Sequence, residues 1–232
     1  MADVQRETRD GILVLRLDHG KANSISQAVS ETLIAALAEA ERDDDVTAVV
    51  ILGRPGMFSG GFDLPTMAKG AAAARDMVAA GGRLAMAVYD HAKPVVTGCG
   101  GHAIAMGCFL AMAGDLRIGA EGAFRIGMNE TAIGMTLPIF GMELARARVS
   151  KRHLDRAVVQ STIYDPKGAV DAGILDRLVA PDALEGACLD AAKALSTLKQ
   201  PAFRNNKRAA HRETVEHIRA TLDEDMARLI PG

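Results

Sequence analysis

Two apolar runs, each followed by a turn that contains paired glycines, limit what this chain can become. Residues 46–52 are uncharged and mostly β-branched and read as a buried strand, followed by Met57-Phe58-Ser59-Gly60-Gly61-Phe62-Asp63-Leu64. Pro94-Val95-Val96-Thr97-Gly98 reads as a second one. After it, Cys99-Gly100-Gly101-His102-Ala103-Ile104-Ala105-Met106-Gly107 turns into an apolar helix start at residues 108–113. Glycine accepts positive φ and lets backbone approach a ligand closely, so Gly60-Gly61 can aim the following N–H outward. A helix N-terminus supplies unpaired N–H groups and the positive end of a dipole. Two such turns together can hold an oxyanion, where each well-placed donor is worth roughly 2.7–4 kcal/mol to a transition state. Either turn alone reads equally well as an ordinary connection; the pair carries the argument.

Around these turns the periodicity alternates between strand and helix. Residues 12–17 form a strand that Asp18-His19-Gly20 ends. Ser24-Ile25-Ser26-Gln27 fits a capping box, with Ser24 as the cap and Gln27 three residues on. Val29, Leu33, Leu37 and Ala40 then repeat at helical spacing. Strand, helix and strand in that order make a βαβ-like unit with a right-handed crossover. Residues 68–90 predict a mobile segment around Gly70 and then a helix through Arg83, Leu84 and Val88. It is placed to wall a pocket or simply to pack. Short strands are expected at 115–118, 123–126 and 174–179, and helices at 138–148, 151–160 and 166–171, the last closed by Gly173. Long helices follow at 182–198 and 208–229, with Pro201 marking a break between them. Val215, Ile218, Leu222, Met226 and Leu229 form one apolar stripe, which suits either an oligomer interface or the chain's own core.

Composition removes several functions. The 232 residues are 49% hydrophobic and 24% charged, the balance of a globular protein. A net charge of −2 gives no argument for nucleic acid or for a membrane surface. Aromatics at 3%, with no Trp, leave nothing to stack bases on. No apolar run reaches membrane-spanning length, and the charged start lacks a signal core. Cys99, Cys108 and Cys188 are odd in number and scattered, so neither a disulfide framework nor a metal site is indicated. A reduced, cytoplasmic protein is expected.

The blocks Phe58-Ser59-Gly60-Gly61-Phe62-Asp63-Leu64, Pro94-Val95-Val96, Gly101-His102-Ala103, Met106-Gly107-Cys108 and Asp115-Leu116-Arg117-Ile118 resemble the crotonase (enoyl-CoA hydratase/isomerase) superfamily. Lys21-Ala22-Asn23-Ser24, Asn129-Glu130-Thr131-Ala132-Ile133-Gly134 with Pro138, and Ala169-Val170-Asp171-Ala172-Gly173 stand in the same order, so the likeness runs from about residue 11 to 179. It implies an α/β fold: a crotonase-like ββα spiral core over 1–180 and a helical C-terminal oligomerisation region over 181–232, building a trimer or a dimer of trimers. It also implies an acyl-CoA thioester substrate whose carbonyl lies between the amides of Phe62 and Met106, with coenzyme A entering only as part of the substrate and no separate cofactor. Lys21, Ala22, Gly60, Gly61, Asp63, Leu64, Gly107, Phe109 and Pro138 match positions that surround such a substrate, with the adenine end near Lys21-Ala22-Asn23. Asp63 and Asp115 also read as turn-holding carboxylates, and His102 as a turn histidine. The basic group Arg204, Lys207, Arg208, His211 and Arg212 could meet the 3′-phosphate of coenzyme A from a neighbouring subunit, with a solvated helix face as the ordinary reading.

Glu130 matches the family's catalytic glutamate. Amid apolar neighbours its carboxyl should be pushed up by desolvation towards the range a proton shuttle needs. The departure is Phe109, where hydratases of the family carry a second glutamate. One carboxylate points to isomerisation by a double-bond shift. Hydration of a 2-enoyl thioester and an acyl-CoA-binding protein without turnover are the alternatives. At Pro65 many relatives carry a lysine, a role Lys21 or Lys69 could take. Neither Gly-x-Ser-x-Gly nor Gly-x-Gly-x-x-Gly is present, which removes the hydrolase-elbow and dinucleotide readings.

Overall fold

Side chains alternate faces along a strand, and the central runs of this chain are apolar on both. They therefore need a layer on each side, and the chain supplies both. The computed structural model describes residues 3–230. Its strands are β1 (Val4–Arg9), β2 (Ile12–Leu17), β3 (Ala48–Leu52), β4 (Gly56–Ser59), β5 (Val95–Cys99), β6 (Gly101–Ile104), β7 (Leu116–Ala120), β8 (Ile126–Gly127) and β9 (Arg177–Val179). Its helices are α1 (Gln27–Arg42), α2 (Leu64–Met67), α3 (Ala71–Tyr89), α4 (Met106–Ala113), α5 (Ile139–Arg148), α6 (Lys151–Val158), α7 (Pro166–Ala172), α8 (Leu184–Ser196) and α9 (Gln200–Leu229).

Six strands build the main sheet in the order β1-β2-β3-β5-β7-β9, parallel except for β1 against β2. β4, β6 and β8 build a small parallel sheet beside it. Each pair β3/β4, β5/β6 and β7/β8 thus gives one strand to each sheet before helices return the chain, which is a ββα spiral. Leu13, Leu15, Leu17, Val49 and Ile51 join a core with Val29, Leu33 and Leu37 of α1, Leu84 and Val88 of α3, and the whole of α4. The alternate residues Ile12, Val14, Val50, Leu52, Val96 and Ile118 meet Leu184, Cys188 and Ala192 of α8. α4 is apolar all round and every residue of it is buried, as its sequence demands.

Several sequence expectations change. Ser26 caps α1, its Oγ accepting from Val29 N at 3.2 Å, while Ser24 Oγ instead donates to Asp63 at 3.1 Å. β1, β4 and β6 were not expected, and β8 is two residues rather than four, because Gly122 with φ 147° and Gly127 with φ 155° bend the chain there. α3 starts directly after Gly70 and passes through Gly81 and Gly82 unbroken. A Cβ on Gly81 would lie 2.5 Å from the Phe62 ring, and one on Gly82 would lie 2.8 Å from Leu222, so these glycines make room for neighbours. Pro201 does not mark a linker. It sits in the first turn of α9, where its missing N–H has no partner to lose.

The apolar stripe of α9 is covered by its own chain: Val215, Ile218 and Met226 are buried in the main core, with Leu222 and Leu229 packed against it. Lys207 anchors the same helix to the sheet. Its Nζ donates to Asp115 Oδ2 at 2.7 Å, and Val95 N donates to the same oxygen at 2.8 Å. Among the described residues no helix is long and apolar enough to cross a membrane.

Breaking a buried ion pair strands the remaining charge, at a cost of about 3–5 kcal/mol. Lys207→Ala should therefore lower the unfolding free energy by about that much in a urea titration. A loss under about 1 kcal/mol would show that α9 is held by its apolar stripe alone.

Candidate active site

The first glycine turn is fixed by the segment before α1. Gly60 N donates to Ala22 O at 2.8 Å, Ile25 N donates to Gly61 O at 2.8 Å, and Asp63 N donates to Ile25 O at 3.3 Å. Gly61 N donates to Ser59 Oγ at 3.2 Å. The amides of Gly60, Gly61 and Asp63 are thus engaged, whereas Phe62 N donates to no acceptor among the described residues. Asn23 stitches this arrangement together from φ 51°, a conformation asparagine tolerates well. Its buried Nδ2 donates to Leu17 O at 3.1 Å and Phe58 O at 2.8 Å, and His19 N donates to its Oδ1 at 2.8 Å. Its side chain is therefore taken up within the fold and not offered to a ligand.

The second turn is built by a non-glycine residue at positive φ. Ala105 has φ 52° and ψ −120°, a conformation that costs of order 1–3 kcal/mol and is held from both sides. Ala105 N donates to Gly127 O at 3.0 Å, and Ala105 O accepts from Phe109 N at 3.0 Å, opening α4. Met106 N, the first amide of that helix, also donates to no acceptor among the described residues. The two turns abut. A Cβ on Gly107 would fall 2.3 Å from Ser59 O, and one on Gly61 would fall 3.1 Å from Ile104 O and 3.7 Å from Met106 N. Both close approaches require glycine, and Gly61 also has φ 103°.

Both turns open on a cavity of about 810 Å³. Of the residues singled out from the sequence, Lys21, Ala22, Gly60, Phe62, Asp63, Leu64, Phe109, Glu130 and Pro138 line it. Gly61, Met106 and Gly107 are buried next to lining residues and contribute no side-chain surface to it. Pro65 lines it, but Lys69 does not. Lys21 stands at a loop whose carbonyls are gripped by Arg54, with Nη2 to Gly20 O at 2.6 Å and to Lys21 O at 2.9 Å. The basic group on α9 does not line this cavity; of its members, Lys207 is paired with Asp115, and His211 stacks on Tyr89 at 3.8 Å. His102 accepts from Arg125 N at 3.0 Å and does not reach the cavity. Leu229 and Ile230 at the end of α9 also line the cavity. The stripe showed that α9 packs, not what it packs over.

Glu130 comes from a loop set by Gly134, whose φ of 75° lets Ile133 N and Met135 N both donate to Glu130 O. Thr131 Oγ donates to Val158 O at 3.0 Å, and Ala132 N donates to Ser161 Oγ at 3.0 Å, tying the loop to the end of α6. Glu130 is 5% exposed, and its Oε2 has no hydrogen-bond partner among the described residues. Burial pushes its pKa up to about 7, and the backbone amides of Glu130 and Asn129 offset only part of the rise. Asp63, the other carboxylate on the wall, behaves oppositely. Burial pushes it up, but hydrogen bonds from Thr66 Oγ at 2.8 Å, Thr66 N at 3.0 Å and Ser24 Oγ at 3.1 Å outweigh this and hold it below the ordinary value. It caps α2 and stays ionised.

The family model described as enoyl-CoA hydratase/isomerase matches residues 7–229. The chain belongs to the enoyl-CoA hydratase/isomerase family. A solved structure of a member from Pseudomonas syringae superposes with a TM-score of 0.94 at 38% identity, over 98% of each chain. The human mitochondrial enoyl-CoA delta isomerase 1 is 25% identical over 98% of this chain and 76% of its own length. A probable enoyl-CoA hydratase of Mycobacterium tuberculosis, EchA17, is 30% identical over 74% of this chain and 66% of its own length.

The native state holds the Glu130 proton up to about pH 7, whereas the unfolded chain releases it near 4.5. A pKa raised on folding gives stability that is fully present below the unfolded value and is lost as pH rises through the folded one. Glu130→Gln cannot ionise, so its stability relative to the native protein should increase between those pH values and level off above about 7. The full difference is on the order of 3 kcal/mol. Thermal melts of both proteins across that range read it directly; a constant difference would place the Glu130 carboxyl in water.

Proposed function

We propose that this chain isomerises enoyl-CoA thioesters, shifting a double bond by moving one proton between carbons with Glu130 as the only acid/base. The thioester carbonyl accepts from Phe62 N and Met106 N, which stabilises the enolate formed when Glu130 removes a proton from C2 of a 3-enoyl thioester. The electron pair moves towards C2–C3, the C3–C4 double bond opens, and Glu130 returns the same proton to C4. Atoms and charge balance with no added reagent. Lys21 and the loop around it suit the coenzyme A end, and the apolar walls suit the acyl chain.

The observation that carries this reading is the pairing of Glu130 with Phe109. Phe109 is 1% exposed, stacks edge-on against Phe140 at 5.6 Å, and fills the space that a Cβ on Gly141 would need. An apolar ring there can neither orient nor activate water, while Glu130 has the pKa a reversible proton carrier needs at neutral pH. Asp63 is committed to its cap, which leaves Glu130 as the uncommitted carboxyl among the described lining residues. The human isomerase relative supports the same reading. Hydration is the second reading, favoured by the hydratase name of EchA17, and it would have to proceed with one glutamate. A binding protein without turnover has little use for an unpaired carboxyl facing an apolar cavity. We also propose that any homotrimer or dimer of trimers uses surfaces other than the stripe of α9.

Product identity from 3-enoyl-CoA and from 2-enoyl-CoA tests this. The expected result is interconversion of the two enoyl thioesters, with kcat/KM rising as pH increases through about 7 because the basic form of Glu130 takes the proton. Glu130→Gln should cost on the order of 10²–10⁴-fold in kcat. Rapid formation of the 3-hydroxyacyl product would establish the hydratase reading instead, and a fully active Glu130→Gln would remove Glu130 from the chemistry.

A further inference from the structure

α5 begins at Ile139 behind Pro138, and no side chain of its own segment caps it. The cap comes from α9, 86 residues further along: Asp225 Oδ2 accepts from Ile139 N at 2.6 Å. Asp225 is 2% exposed, and its other oxygen accepts from Arg228, whose side chain is 58% exposed. A buried carboxylate is costly to keep, and a well-packed apolar residue commonly serves stability better at such a place. A carboxylate at a helix N-terminus does what an apolar side chain cannot: it fixes direction through a charge-assisted bond to a first-turn amide.

What that bond joins is two parts of one cavity wall. Pro138, immediately before the capped amide, lines the cavity, and so do Leu229 and Ile230, one turn beyond Asp225. One turn earlier, Leu222 seats over Gly82. The last turn of α9 therefore has an apolar contact before it and a polar latch at its base, and beyond the latch its side chains face the acyl space. We propose that Asp225 is a positioning residue that fixes the end of α9 as a wall of the acyl cavity, and that this wall sets which acyl groups fit. The inference rests on the acyl-CoA reading of the cavity and goes beyond it by naming what limits the acyl chain.

The test compares the native protein with Asp225→Ala, Asp225→Asn and Leu229→Ala. Two ratios are measured, dodecanoyl-CoA over hexanoyl-CoA in binding by calorimetry, and 3-dodecenoyl-CoA over 3-hexenoyl-CoA in kcat/KM. Removing the latch or the wall should raise both long-over-short ratios by roughly tenfold, as expected when a pocket boundary moves by about a methylene or two. Asp225→Asn keeps an acceptor for Ile139 N and should hold the ratios near the native ones. Ratios unchanged in both alanine variants would overturn the proposal, as would Asp225→Asn behaving like Asp225→Ala. If Asp225→Ala does not fold, Leu229→Ala together with Asp225→Asn still decides. A protein that binds both saturated thioesters but turns over neither enoyl thioester would refute the isomerase reading and leave the binding ratios to judge the wall.

Discussion

The site depends on a contact that only glycine permits, the close approach of Gly107 to Ser59 O beside that of Gly61 to Ile104 O. These contacts bring the end of β4 against the start of α4, so turns from two different passes of the spiral share one corner. The hydrogen bonds around that corner are then almost all used up. Ala22 and Ile25 clamp one turn, and Gly127 and the opening of α4 hold the other. What remains includes the Phe62 amide on one turn and, on the other, the first amides of α4 from Met106 onward. Backbone donors fixed by a surrounding network need no reorganisation when charge develops in front of them, which makes them effective at an oxyanion. The strain at Ala105 belongs to the same account, since that backbone turn sets the direction of Met106 N.

The second element is a contrast between two carboxylates on one wall. Asp63 receives three hydrogen bonds and is held ionised, while Glu130 has an unpartnered oxygen and is pushed to about 7 by burial. The same chemical group is thereby held as a structural anion at one place and, at the other, given the pKa that the proposed proton carrier needs. Burial raises the pKa of Glu130 by excluding water, and the apolar ring of Phe109 on the same cavity lining offers water no hydrogen bond.

How much of this could be read in the residues follows from where each constraint lies. The glycine turns were legible because close approach and positive φ demand glycine, and Glu130 because its surrounding motif is local. The helices of the core are legible from their 3.6-residue period, although the spacing of Ser24 and Gln27 points to Ser24 for the cap that Ser26 provides. β4, β6 and β8 were not, since strands of two to four mixed residues are defined by their partners in the small sheet rather than by their own pattern. Asn23 looked like a ligand contact and proved to be a buried stitch; Lys207 looked like a free cation and proved to be half of a buried pair. The role of α9 was the least legible. Its stripe showed one buried face, but a partner 86 residues away, through Asp225 and Ile139, decides what the end of that helix covers.

The most direct measurement of the central claim is the carbonyl stretch of a bound acyl-CoA, labelled with carbon-13 at the thioester and followed by infrared difference spectroscopy. Two amides donating to that oxygen should move the stretch to lower wavenumber on binding. Gly61→Val, which cannot adopt φ 103° beside Ile104 O without displacing Phe62 N, should abolish most of the shift while the ligand remains bound. A thioester that binds in the cavity of the native protein with an unshifted carbonyl would contradict the account.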